Sequence, residues 1–172
     1  MRKIKELKLE TSSPELDCEK ILKGLLVDPT KKLFPPKSVW VQANDQNPDD
    51  GRIMGTMGNF SMVIGKAKSR KSFFLNIVVC VALDKDIANF RGKLQGKKVL
   101  FFDTEQGQYH LQLATKRICS RIGVENPLNL SVYGLRGKSP SERLQLIEYA
   151  IENMSGIGLV VIDGIKDIVT SI

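Results

Sequence analysis

No apolar run in this chain approaches the roughly 20 residues that cross a bilayer. The N-terminal stretch Met1-Arg-Lys-Ile-Lys-Glu-Leu-Lys also lacks the hydrophobic segment of a signal peptide. A cytosolic (cytoplasmic) protein is expected, with no membrane partner. Cysteine is scarce: Cys18, Cys80 and Cys119 are odd in number and far apart, which argues against a disulfide framework and against a zinc site. The single histidine, His110, has no serine or cysteine placed for nucleophilic catalysis and reads as a surface or capping residue. Aromatic residues make up only 6%. Of these, Trp40 and Tyr109 could stack on a base, although a core or interface place is more frequent for such residues. Internal repeats and low-complexity tracts are absent. With 172 residues, 42% of them apolar, the chain suffices for one domain with a proper core, which excludes disorder as the default.

Positive charge is in surplus. A formal net charge of +7 suits a polyanionic partner, for which nucleotide and nucleic acid both qualify. The basic residues gather at Arg2–Lys8, Lys66–Lys71, Arg91–Lys98, Lys116–Arg121 and, more loosely, Arg136–Arg143. Any one such group is more often a solvated face than a binding site.

One further absence is the most informative. In Gly65-Lys-Ala-Lys-Ser-Arg-Lys-Ser72 the spacing is that of a phosphate-binding loop, G-x-x-x-x-G-K-[ST], but Arg70 stands where the second glycine belongs. In that pattern backbone N–H groups cradle phosphate, the lysine reaches the terminal phosphates and the hydroxyl holds Mg²⁺. Gly65, Lys66, Ala67, Lys68, Ser69, Arg70, Lys71 and Ser72 are therefore the candidate phosphate-holding residues. The position before the lysine usually needs a conformation that is cheap only without a Cβ, so Arg70 carries strain or the loop has another shape. Lys66, Lys68 and Arg70 either bind phosphate themselves or are simply solvated. Context favours the loop: Phe60–Ile64 reads as a short buried strand before it, and Phe73–Leu83 as an apolar helix after it. The helix N-terminus adds its dipole to the site. The competing reading is a basic surface turn between two core elements.

Residues 1–57 read as a lead-in, with a helix from Ser13-Pro-Glu15 to about Val27, a short strand at Val39–Val41, and turns around Pro29, Pro35, Pro36 and Asn44–Gly51. Residues 58–172 alternate strand and helix: strands at 60–64, 98–102, 129–133 and 158–162, helices at about 72–84, 108–122 and 140–153. This is the pattern of an α/β parallel sheet flanked by helices. The helix at 140 is well signed, with Ser139 as cap, Glu142 three residues on, and Leu144, Ile147, Ile151 and Met154 on one face. The strand Gly158-Leu-Val-Val-Ile-Asp163 delivers a carboxylate to the C-terminal edge of the sheet, where ligands bind in open parallel sheets. Asp163 can there orient Mg²⁺ beside Ser72. The strand Val99-Leu-Phe-Phe-Asp-Thr-Glu105 brings two more carboxylates to that edge. Glu105 is the candidate for positioning an attacking water and Asp103 for supporting the site; the alternative is a polar turn that starts the next helix.

Together these stretches, from about Gly58 to Ile172, resemble RecA-like P-loop ATPases, and within them the RepA-like hexameric helicases of plasmids and other bacterial mobile elements. The Gly-Asn-Phe-Ser and Gly-Lys-Ala-Lys-Ser-Arg-Lys-Ser phrases are also similar to ATPases of mobilisable elements. The resemblance implies a RecA-like P-loop core with ATP and Mg²⁺ as cofactors, Lys71 and Glu105 catalytic, and Ser72 and Asp163 on the metal. It further implies DNA, single-stranded, as partner and a homo-oligomer, hexameric at full length. Because RecA-like domains usually continue well past the acid that matches Asp163, a C-terminally truncated core is expected. A non-catalytic nucleotide-sensing or DNA-binding adaptor, with Arg70 disabling turnover, is the rival implication.

Overall fold

The structure, a computed structural model, describes residues 17–43, 51–66 and 68–169. The expected helix opening at Ser13–Glu15, the loop at 44–50 and Ala67 of the phosphate loop lie outside the described residues. The chain divides into two compact units, residues 1–35 and 36–172. The strand expected at Val39–Val41, within the 1–57 lead-in, therefore falls in the second unit.

In the first unit, α1 spans Cys18–Leu25. Asp17 caps it by accepting from the Lys20 N–H at 3.1 Å, and Glu19 pairs with Lys23 one turn on at 2.7 Å.

The second unit holds two sheets. One is antiparallel, with β1 (Ser38–Gln42) between β2 (Arg52–Thr56) and β3 (Phe90–Gly92). The other is parallel, with β4 (Lys98–Asp103) between β5 (Leu130–Gly134) and β6 (Ile157–Asp163). The helices are α2 (Lys71–Ala82), α3 (Gln108–Ile122) and α4 (Pro140–Asn153), and a 3-10 turn at Ile165–Ile168 follows β6. The α/β class and the parallel sheet flanked by helices are as the sequence predicts.

Alternation along β4 sorts the core. Val99 and Phe101 face α2 and α3, packing with Val79, Val81, Ile118 and Val161, while Leu100 and Phe102 face α4 with Ile147 and Leu135. The helix α2 touches both sheets and is apolar almost all round, as a helix enclosed on every side must be. Trp40 lies in this core, 5.1 Å from Phe90 and 6.2 Å from Phe74 between ring centroids, so it has no free face for a base.

Two expectations need correction. The segment 60–64 is no strand: residues 59–66 join neither sheet, and Phe60 and Ile64 are 90% and 82% exposed. A strand needs a hydrogen-bonding neighbour, and the only strand that β6 pairs with among the described residues is β4, on its other side. On α4, the face turned to the sheet is Ile147, Ala150 and Met154, whereas Leu144 and Ile151 flank it and stay exposed. The expected cap is present: the Ser139 hydroxyl accepts from the Glu142 N–H at 3.3 Å, and Glu142 accepts from the Ser139 N–H at 2.8 Å.

Candidate functional site

The loop before α2 takes its shape from two left-handed residues. Lys68 and Arg70 both have φ of 63°, a region that costs a residue with a Cβ about 1–2 kcal/mol. Arg70, at φ 63° and ψ 29°, has the conformation that the missing glycine would take for free. It supplies no side-chain cap, so the first N–H groups of α2 are left without a capping side chain. Inside the loop the Lys71 ammonium donates to the carbonyls of Gly65 and Lys66, each at 3.0 Å. Ser69 N–H closes the turn onto the Lys66 carbonyl at 3.2 Å. A Cβ at Gly65 would sit 2.5 Å from the exposed Ser69 hydroxyl, which would have to turn away to admit it. Lys66, Lys68, Ser69 and Arg70 are all exposed.

The carboxylates converge at the C-terminal edge of the parallel sheet. Asp103 and Asp163 end adjacent strands in register with one another. Asp163 is buried and lies near Ser72, which brings the start of α2 beside the end of β6. Burial pushes its carboxyl above the usual aspartate range, and the neighbouring Asp103 and Glu105 add to the rise, against the opposing pull of Ser72 and Lys71.

Asp103 is fully buried and its oxygens are engaged: Oδ1 accepts from the Glu105 and Gln106 N–H groups at 2.9 and 2.7 Å, and Oδ2 from Gln106 Nε2 at 2.7 Å. It shapes the turn that carries Glu105. Glu105 itself is half-exposed, 3.4 Å from the Lys166 ammonium. Residues singled out from the sequence thus meet at one edge: Lys71 and Ser72 from the loop, Asp163 from β6 and Glu105 from the turn after β4.

Sequence reading missed the groups that lock this edge together. The Thr104 hydroxyl lies within hydrogen-bond distance of the Asp163 and Gly164 carbonyls and of the Asp167 carboxylate, at 3.0–3.1 Å. Gly164, at φ 93°, is in contact with that hydroxyl and has no room for a side chain. Arg143 from α4 donates to three carbonyls: Leu135 at 3.1 Å, Arg136 at 2.9 Å and Asp167 at 2.8 Å. A single threonine or arginine between apolar runs carries no signal of such a role.

This arrangement joins a phosphate loop to acids on neighbouring parallel strands, and the family comparison agrees with it. A family model described as an AAA domain matches residues 29–171. The chain belongs to the AAA domain family. Neither a curated protein nor a solved structure shows a match to it. As an AAA domain, this chain is placed among nucleotide-binding P-loop ATPases, and the matched span takes in β1 and β2 as well as the phosphate loop.

The donor set suits Mg²⁺. Ser72 and Asp163 offer hard oxygens side by side, and a buried carboxylate whose charge is disfavoured gains from a cation. These two residues would hold the metal, which would supply charge neutralisation to bound phosphate. Among the described residues no helix is long and apolar enough to cross a membrane.

Proposed function

We propose that this chain is an ATP-binding and ATP-hydrolysing domain of a DNA-associated motor or loader, of the RepA-like helicase type, serving replication or mobilisation of a mobile element. The observation that carries the nucleotide part is that Lys71 and Ser72, at the start of α2, lie close enough to the buried strand-end acid Asp163 to favour its charged form, with Glu105 on the same edge. Gly65–Ser72 hold the phosphates and Lys71 leaves its two carbonyls for the terminal phosphate. Glu105 accepts a proton from water as the water oxygen bonds to the γ-phosphorus, the bridging P–O bond breaks, and ADP leaves with the electron pair.

The DNA part rests on charge and on the resemblance: a net +7, with Lys66, Lys68 and Arg70 exposed beside the site, favours a polyanion bound with steep salt dependence, and the resemblance makes that polyanion single-stranded DNA. The resemblance to RepA-like helicases adds a homo-oligomer and a cytoplasmic setting.

The test is steady-state ATPase with and without single-stranded DNA. Glu105→Gln should lower kcat at least about 100-fold and leave ATP affinity within about twofold. Lys71→Ala should lose binding. One observation favours the rival reading of a non-hydrolysing nucleotide sensor: Glu105 is already engaged by Lys166. Saturable ATP binding with no turnover by wild type, with or without DNA, would establish that reading instead.

A further inference from the structure

The turn after β6 sets a lysine against the acid singled out as the base, and the contact follows from how this edge is built. Asp103 accepts from the Glu105 N–H at 2.9 Å, which fixes where the glutamate side chain starts. The Thr104 hydroxyl lies 3.0 Å from the Asp167 carboxylate, and the chain neighbours of these two residues are Glu105 and Lys166. Arg143 holds the same turn from α4 by donating to the Asp167 carbonyl at 2.8 Å. Gly164 leaves the space between them open: a Cβ there would lie 3.0 Å from Glu105 Cγ, so the glutamate stem runs over the glycine. With both backbones held, Glu105 Oε1 ends 3.4 Å from the Lys166 ammonium. None of the other ion pairs among the described residues involves a residue of the site.

A general base has to hold the water whose proton it takes, within about 2.6–3.2 Å. Glu105 Oε1 is turned to the ammonium instead, so water and Lys166 compete for the same oxygen. An exposed pair contributes little to stability, but a small preference for the wrong partner is enough to slow a base. Lys166 is the more exposed of the two and carries the charge that a polyanion seeks, so an arriving polyanion has access to the ammonium.

We propose that Lys166 is a positioning residue that restrains Glu105 from the attacking water, and that a phosphodiester polyanion releases the glutamate by taking up the ammonium. Hydrolysis is then coupled to the polyanion by the exchange of one ion pair. The inference rests on Glu105 as the base in the proposed function, and the two fail on different results.

Steady-state ATPase of the full chain, with and without oligothymidylate, tests it on wild type, Lys166→Met, Lys166→Arg, Glu105→Gln and the Lys166→Met, Glu105→Gln double variant, with ATP affinity measured by calorimetry. Without oligothymidylate, Lys166→Met should raise kcat about two- to fivefold, the worth of an exposed ion pair, and leave ATP affinity within about twofold. Lys166→Arg keeps the cation and should hold kcat at the wild-type value. The double variant should be no faster than Glu105→Gln, since the lysine acts through the glutamate. Oligothymidylate should raise the wild-type rate toward that of Lys166→Met and add nothing to the variant. A gain from Lys166→Met that persists in the Glu105→Gln background overturns the restraint, because the lysine then acts elsewhere. Oligothymidylate that leaves wild type unstimulated, or stimulates wild type and Lys166→Met equally, overturns the polyanion as the release. Turnover by wild type that Lys166→Met fails to raise overturns the restraint alone. Saturable ATP binding with no turnover by any of these chains overturns the hydrolysis reading, and the restraint with it.

Discussion

Arg70 shows how far a single residue can be read before the fold is known. The motif spacing marks it as the substitute for a glycine, and the physics of φ predicts a left-handed backbone there, which is where it lies. The identity of the side chain should therefore matter less than its branching. Arg70→Gly should leave stability within about 1 kcal/mol of wild type, since relief of the left-handed cost is offset by the greater freedom of glycine when unfolded. Arg70→Val should cost about 1–3 kcal/mol, because a β-branched residue at this φ is a genuine outlier. Thermal unfolding of the two variants checks this, and equal loss in both would mean that the side chain, not the backbone, sets the loop. Other residues were less legible. Asn76 did carry a signal, as the one polar side chain in the apolar run Phe73–Leu83. Thr104 carried none, because its partners Asp163, Gly164 and Asp167 are distant in sequence and come to it only through strand pairing.

At the scale of elements, legibility followed how local the deciding physics is. The helix α4 matches its expected span because its signals, a capping box and a first-turn proline, act within four residues. The strands β2 and β3 were missed because Arg52-Ile-Met-Gly-Thr and Phe90-Arg-Gly show no clean alternation and owe their state to pairing with β1. Phe60–Ile64 fails in the opposite sense, having the composition of a strand without a partner. Two predictions belong here. Hydrogen bonds from Ser139 hold the Glu142 carboxyl below its ordinary value of 4.5. A depressed carboxyl stabilises the fold above its unfolded-state value, and that contribution is lost as pH falls through the folded value. Glu142→Gln should therefore flatten the acid limb of a melting-temperature profile below about pH 4.5 and lower the curve at neutral pH; an unchanged acid limb would show that the cap carries no linkage. The second concerns the turn after β6. Gly164→Ala puts a methyl against Thr104 in a left-handed position, so it should destabilise by roughly 2–4 kcal/mol in urea unfolding and weaken nucleotide binding. Pairing it with Thr104→Ala should recover part of the loss if the clash is the cause.

For the whole molecule, the two sheets and α2 form one apolar body, and two of the contacts that fasten the polar edge of the parallel sheet, besides that of Thr104, differ in character. One is the Glu105–Lys166 pair, with side chains 48% and 76% exposed. The other is Arg143, whose guanidinium binds carbonyl oxygens only. Arg143→Lys should lower stability by about 1–3 kcal/mol, since an ammonium does not reproduce the planar fork that meets three carbonyls, and urea unfolding measures it. A loss no larger than that of an exposed substitution, about 0.5 kcal/mol, would show the fastening to be incidental. The guanidinium keeps its proton at any pH the fold survives and pairs with no carboxylate among the described residues that added ions could screen, whereas the exposed pair weakens as the Debye length shrinks from about 10 Å to 3 Å between 0.1 and 1 M salt. Ionic strength thus acts on the two fastenings unequally: rising salt releases the glutamate while the strand end beside it keeps its place.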